Sequence, residues 1–273
     1  LAKTIAMIKQ VQPKYLYVTC DGPRPGNEKD LFGVTAVRAL VKELVDWDCE
    51  VKTLYRDENL GPKKAISSAI SWFFENVSEG IILEDDCLPV NSFFAYCEEL
   101  LAKYRDNEKV MMISGDFFAS PLSEQDESYY FTKHVHIWGW ATWRRAWLKY
   151  DLAMKSWPEK QDLLKSELKF KTHVWKNYKK AMNLVYNNKI NTWDFQWVFS
   201  CWINDGLAIS PTRNLVSNIG FSVDAVHTAN IDSPMSKLST HEMSFPLKHP
   251  SAIKRNLLLE TRTEPIAFPT TFS

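Results

Sequence analysis

Short apolar runs and helical apolar stripes alternate along the first 90 residues of the chain. Leu1, Ile5 and Ile8 share one helical stripe, which predicts a helix over residues 1–12, ended by Pro13. Tyr15-Leu16-Tyr17-Val18-Thr19 is a run of β-formers. Val34, Val37, Leu40, Val41, Leu44 and Val45 then return to helical spacing. Residues 49–55 predict a further strand, and Pro62 suits the first turn of a helix burying Ile66, Ile70 and Phe73 or Phe74. Gly80-Ile81-Ile82-Leu83 follows as a short apolar run of the kind that makes a buried parallel strand. This β-α-β-α-β order, with turn residues after each strand, is the pattern of a parallel sheet covered by helices.

Beyond Pro89, Phe93, Phe94, Cys97, Leu100, Leu101 and Tyr104 mark a helix over 92–104, and residues 110–116 predict a strand ending in Asp116. A polar loop over 119–128 leads to a short strand at Tyr129-Tyr130-Phe131. Gly139 lies in Trp138-Gly139-Trp140, where a glycine implies a turn or a close backbone approach. Trp143 and Trp147 stand one helical turn apart, as core residues. Residues 159–186 read as helical with a basic, solvated face. Residues 228–273, rich in Ser, Thr and Pro without sustained periodicity, predict a wrapping or partly disordered tail.

At 273 residues the chain suffices for one large α/β domain or two small ones. Its formal net charge of zero gives no electrostatic footprint for nucleic acid. No apolar run is long enough for a transmembrane helix, so neither nucleic acid nor a membrane span is expected. Five cysteines without a C-x-x-C pair fit reduced thiols of a cytosolic-type protein better than a disulfide framework. The 11 Trp residues exceed ordinary usage, and aromatic rings serve either to fill a core or to stack on sugars.

The most informative stretch is Glu84-Asp85-Asp86, three carboxylates directly behind the apolar run. In open α/β sheets, ligands bind beyond the carboxyl ends of the strands. Adjacent carboxylates there raise one another's pKa unless a cation neutralises them, and oxygen ligands favour Mg²⁺ or Mn²⁺. Strand alternation would put Glu84 and Asp86 on one face and Asp85 on the other. Asp21 precedes Gly22 at an earlier strand end, either contacting a nucleotide or stabilising its own turn. Arg24 follows in the same loop, where it could pair with a phosphate. Asp116 is a candidate sugar- or acceptor-binding acid. Trp138 and Trp140 either wall a sugar pocket or pack. Asp194 sits among aromatics in Trp193-Asp194-Phe195-Gln196-Trp197, and a late His227 is either a second metal ligand, a donor to a diphosphate, or structural.

The ordered set of Asp21-Gly22, Asn59-Leu60-Gly61, Leu83-Glu84-Asp85-Asp86, Trp138-Gly139-Trp140, Trp193-Asp194-x-x-Trp197 and a late histidine resembles bacterial nucleotide-diphospho-sugar transferases of the GT-A fold, a group sometimes labelled hemolysin-like. It is similar, more distantly, to N-acetylglucosaminyltransferase I. The likeness covers roughly residues 15–230. It implies a Rossmann-like, mostly parallel sheet flanked by helices, with the family's first strand ahead of Leu1 absent. A single catalytic domain would span 1–230, with a nucleotide-binding half over 1–115, an acceptor half over 116–230, and a tail over 231–273. The resemblance further implies Asp86 as direct metal ligand, joined by His227, with Mn²⁺ or Mg²⁺ as cofactor. Glu84 and Asp85 would contact the donor, together with Asp21, Arg24, Asp116 and Trp140. Asp194 would be the catalytic base, in a segment one residue longer than the relative's. The implied partners are a nucleotide-sugar donor, with UDP the first nucleotide to consider, and a glycan or other hydroxyl acceptor. The implied setting is the cytoplasm, at the inner face of the membrane, in polysaccharide synthesis. Two rival readings are metal-dependent phosphoester hydrolysis, for which the histidines lack ligand spacing, and a non-catalytic carbohydrate-binding or toxin-like protein on the same scaffold.

Overall fold

The early alternation of strands and helices folds largely as the apolar pattern predicts. The computed structural model describes residues 1–123, 126–221 and 234–269. In chain order its elements are α1 (Ala2–Val11), β1 (Tyr15–Cys20), α2 (Glu28–Leu44), β2 (Glu50–Tyr55), α3 (Gly61–Asn76), β3 (Glu79–Ile82), β4 (Cys87–Pro89) and α4 (Asn91–Tyr104). There follow β5 (Val110–Ser114), β6 (Tyr129–Thr132), β7 (Trp140–Trp143), α5 (Arg144–Trp147), α6 (Trp157–Leu168), α7 (Thr172–Tyr186), α8 (Asp194–Ile203), β8 (Leu207–Pro211), β9 (Val216–Asn218), a 3₁₀ turn (Pro234–Lys237) and α9 (Leu257–Ala267).

The chain is α/β, but its main sheet is mixed rather than mostly parallel. Five strands lie in the order β3-β7-β5-β8-β6, and β5–β8 is its one parallel pair of neighbours among the described residues. β7 enters antiparallel between β3 and β5, and β6 closes the far edge antiparallel to β8. Sequence does not reveal this, because apolar runs look alike whichever way they run. Trp140-Ala141-Thr142-Trp143, which shows no alternation, is the strand that reverses the sheet. Trp143 is therefore a strand residue, and only Trp147 is helical. β1 and β2 form a separate parallel pair, and β4 pairs antiparallel with β9.

Between β7 and α8 lies an aromatic core. Trp140 stacks on Trp193 with centroids 5.7 Å apart, and Trp147 and Trp197 close the group. Helices α6 and α7 cover it with Leu164, Leu168, Val174, Trp175, Tyr178, Met182 and Val185. They are two helices rather than one, because Lys169 takes a left-handed conformation (φ 51°). A second core under α4 gathers Phe93, Tyr96, Cys97 and Leu100 against β5 and β8. All five cysteines are free thiols. No helix among the described residues is long and apolar enough to cross a membrane.

Residues 234–269 wrap the domain through both apolar and polar contacts: Met243 and Leu247 enter the core under α4, and Phe268 packs on Tyr178. Glu242 accepts from Asn91 N and Ser92 N at the start of α4. In α9, buried Glu260 accepts from Thr132 Oγ1 (2.8 Å), Lys133 N (2.7 Å) and Arg255 Nε (2.7 Å). α9 evades the apolar pattern because it buries its charged residues and carries Pro265 internally. Trp140 is wholly enclosed, so removing it opens a cavity in the aromatic core. Trp140→Ala is expected to cost about 3–5 kcal/mol in urea unfolding. Leu148→Ala, at a side chain 78% exposed, is expected to change stability by less than about 0.5 kcal/mol.

Candidate functional site

The three acids follow β3 but do not continue it. Pairing with β7 ends at Ile82↔Trp140, because Gly139 (φ +68°) turns the partner away. The chain then folds into a turn closed by Cys87 N donating to Glu84 O at 3.1 Å. β4 begins at once, and Ile219 N donates to Asp86 O (2.9 Å) beside the β4–β9 pair. The expected strand alternation is thus replaced by turn geometry. Asp85 is exposed, while Glu84 and Asp86 are partly buried. The Asp85 carbonyl is fixed by Thr4 Oγ1 (2.8 Å) and the amino group of Leu1 (3.0 Å), which anchors α1 to the turn.

Asp194 arrives from the far side of the sequence. It is the first residue of α8, with Trp193 at the N-cap. The Thr192 hydroxyl donates to Asp194 Oδ1 in a short hydrogen bond. Tyr150 Oη donates to Trp193 O at 2.9 Å, and Gln196 Nε2 donates to Thr192 O at 2.7 Å, so this N-terminus is rigidly placed. The positive end of the α8 dipole is a favourable place for a negative side chain.

These elements bring Asp86 and Asp194 each within electrostatic reach of Glu84. Burial pushes the Glu84 carboxyl up to about 7, the charges of Asp86, Asp194 and Asp85 add to this, and a hydrogen bond from Trp193 opposes it. Burial likewise raises Asp86, followed by the charge of Asp85, against hydrogen bonds involving Cys87 and Asn218. The Cys87 thiol lies 3.6 Å from Asp86 Oδ1 and is itself pushed well up by burial. Among the described residues, no three His, Cys, Asp or Glu side chains converge tightly enough to hold a metal ion by themselves. The donor set is nevertheless all oxygen, and one or two carboxylates completed by phosphate oxygens and water is an ordinary Mg²⁺ arrangement.

The other residues singled out in the sequence fall elsewhere or serve the frame. Asp21 accepts from Gly22 N, Asn59 Nδ2, Leu60 N and Gly61 N, all at 3.0–3.1 Å. It locks the β1 loop to the start of α3, which accounts for both Asp21-Gly22 and Asn59-Leu60-Gly61 as turn chemistry. Asn191 Oδ1 accepts from Lys63 N at 3.2 Å, so the segment before Asp194 joins the same loop cluster. Arg24 is exposed and held by Asp30 in a two-pronged pair at 2.5 and 2.8 Å. Asp116 is completely buried; Trp138 N donates to its Oδ2 at 3.0 Å, and burial holds its pKa well above the carboxylate range. Its role here is to fix the Trp138 turn. Trp140 faces no pocket, being enclosed in the aromatic core, whereas Trp138 is partly exposed and meets Phe221 edge-on at 5.5 Å. His227 lies outside the described residues.

Three residues to which the sequence assigned no role bear on these acids. Trp193 hydrogen-bonds Glu84, and the acid of Asp194 bears on Tyr150. A Cβ at Gly220 would stand 2.1 Å from Asp86 Oδ2. Gly220 and Tyr150 carry no local signal, since their importance arises only when distant strands meet.

No family model matches the chain, and no curated protein matches it.

Glu84 gives this cluster a pH signature. Unfolded, it ionises near 4.5, and folded, near 7. The folded state therefore binds an extra proton between these values. Its stability is fully present below about pH 4.5 and falls as pH rises toward 7, by up to about 3 kcal/mol. Glu84→Gln is expected to remove the Glu84 share of this decline in urea midpoints measured across that range. Asp86 and Asp116, also raised, leave a residual slope of the same sign.

Proposed function

We propose that the protein is a metal-dependent glycosyltransferase that moves a sugar from a nucleotide diphosphate to a hydroxyl acceptor with inversion. The observation that carries this reading is that Asp86 and Asp194, from two distant stretches of sequence, both bear on Glu84, whose carboxyl burial and then their charges push up to about 7. Carboxylates gathered at this density are stabilised by a cation. The order of motifs supports the same reading through its likeness to GT-A transferases.

On this reading Asp86, with Glu84 beside it, would hold Mn²⁺ or Mg²⁺ against the donor diphosphate, where the ion supplies Lewis-acid stabilisation of the leaving group. Asp194 takes the proton of the acceptor hydroxyl as its oxygen bonds to the anomeric carbon and the bond to the diphosphate breaks. A positioned base of this kind is worth about 10²–10⁴-fold. Thr192 occupies Asp194 Oδ1 and leaves Oδ2 for this step. Asp85, exposed at the apex of the turn, is placed to meet the ribose or sugar. The partly exposed Trp138 is the aromatic surface available for stacking, and Trp140 supports the wall from within.

Calorimetric titration of UDP with and without Mn²⁺ tests the proposal. Binding is expected to require the metal and to weaken at least tenfold in Asp86→Ala, while Asp194→Asn binds normally and loses transfer. UDP binding indifferent to Mn²⁺ and to Asp86, or absent altogether, would overturn it; sugar binding without metal would favour the non-catalytic carbohydrate-binding reading. Gly220→Ala offers a subtler check. Its methyl group displaces the Asp86 carboxylate, so Mn²⁺-dependent binding should fall severalfold with little change in the urea midpoint.

A further inference from the structure

The outer edges of β6 and β2 are finished differently. The tail covers β6: Lys248 O accepts from Ser128 N (2.9 Å), and Phe131 O accepts from Asn256 N (2.8 Å) beside a bridge between Phe131 and Arg255. Among the described residues β2 has no such cover, and β1 is its one ladder partner. Glu50 N donates to Lys14 O (2.9 Å) and Arg56 N to Cys20 O (3.1 Å), so the even-numbered residues of β2 bond to β1. The peptide groups of Val51, Thr53 and Tyr55 therefore point outward from the pair.

Proteins blunt an exposed edge with a proline, a bulge or a lysine standing over it. β2 contains no proline, and its six-residue register with β1 is unbroken. Its lysine leans back over β1, away from the edge: Lys52 Nζ lies 5.5 Å from the centre of the Tyr17 ring and donates to Asn76 Oδ1 at 3.4 Å. Glu50 shares that face, with Oε1 3.5 Å from Lys52 Nζ. On the other face the Arg38 guanidinium of α2 lies over the Tyr55 ring at 5.0 Å. Val51, on that same face by strand alternation, is partly open to water. Leu31, 57% exposed, stands two helical turns before Arg38 on one stripe of α2 and widens the apolar surface beside this edge.

We infer that the outer edge of β2 is a homodimer interface, at which a second copy of this chain pairs its own β2 antiparallel about Val51. Charge complementarity selects both the occupant and the register. Centred on Val51, the pairing sets Glu50 opposite the partner's Lys52 and Lys52 opposite the partner's Glu50, and opposite charges facing across strands are favourable. Centred on Lys52, it would oppose two lysines; centred on Thr53, it would set Lys52 against the partner's Leu54. In the chosen register Val51 and the partner's Val51 form the central hydrogen-bonded pair, flanked by Thr53 against the partner's Cys49. A foreign strand gains the same main-chain bonds without the matched charges. The two-fold axis stands normal to the sheet, so each β2 edge is consumed by the other and association closes at two. The inference stands independently of the glycosyltransferase reading.

Sedimentation equilibrium of the 273-residue protein is the test. The chain is expected to be dimeric at about 100 μM and to dissociate on dilution. Glu50→Lys and Lys52→Glu change exposed side chains and each set like charges across the axis, so either alone is expected to weaken dimerisation at least tenfold. Mixed in equal amounts, the two variants regain opposite charges and are expected to form a mixed dimer, which a purely local effect of each change would not produce. Val51→Pro removes an outward N–H at the axis and leaves the bonds to β1 in place, as proline on an edge strand can; it is expected to be folded by circular dichroism and monomeric. A native chain that is monomeric at about 100 μM would overturn the inference. So would a dimer indifferent to the charge variants or to Val51→Pro, or two charge variants that fail to associate when mixed.

Discussion

Gly115, Gly139 and Val216 meet where three separate stretches of chain touch at backbone distance. Gly115 N donates to Gly139 O at 2.8 Å, and Leu215 N donates to Gly115 O at 2.9 Å. A Cβ on Gly115 would stand 2.5 Å from a Val216 methyl, and one on Gly139 would stand 2.8 Å from the same atom. No larger side chain fits at either position without moving the others. Through this junction the end of β5, the turn before β7 and the start of β9 hold one fixed arrangement. The β4–β9 pair then holds the acidic turn against the main sheet. Asp116, buried beside the junction, secures the turn by accepting from Trp138 N. The site's geometry is therefore inherited from close packing several residues away from its charges.

Into that rigid frame the chain places charges that repel. Glu84 and Asp86 flank one turn, and Asp194 is delivered by α8 from more than 100 positions later. The aromatic core beneath, with Trp193 stacked on Trp140, sets both the height of α8 and the apolar surroundings that raise Glu84. Packing energy from buried tryptophans thus offsets an electrostatic arrangement that is unfavourable by itself. Such local conflict between charge and burial is common where a protein binds a ligand or performs chemistry.

Much of the first third was legible because amphipathic stripes and β-branched runs report local structure directly. The strand at residues 15–20, the helix ended by Val45 and the helix after Pro62 followed from spacing alone. Sheet direction did not, since β7 announces itself by neither alternation nor length, and its antiparallel insertion is decided by contacts between distant segments. Asp21, read either as a nucleotide contact or as a stabiliser of its own turn, fastens two loops. Arg24, read as a candidate phosphate partner, is paired with Asp30. The acidic turn was readable as chemistry, but its partnership with Asp194 depends on tertiary structure. α9 was illegible because its ordering contacts are buried charges, which a search for apolar periodicity passes over.

The proposed cation site requires that Glu84 be held beside carboxylates whose repulsion a divalent cation would relieve. Side-chain carboxyl ¹³C NMR, titrated with pH in the absence and presence of Mg²⁺, reads this directly. The account predicts that Glu84 titrates near 7 in the free protein, and that saturating Mg²⁺ moves its midpoint down by at least one pH unit. A Glu84 midpoint near the ordinary carboxylate value, unmoved by Mg²⁺, would contradict it.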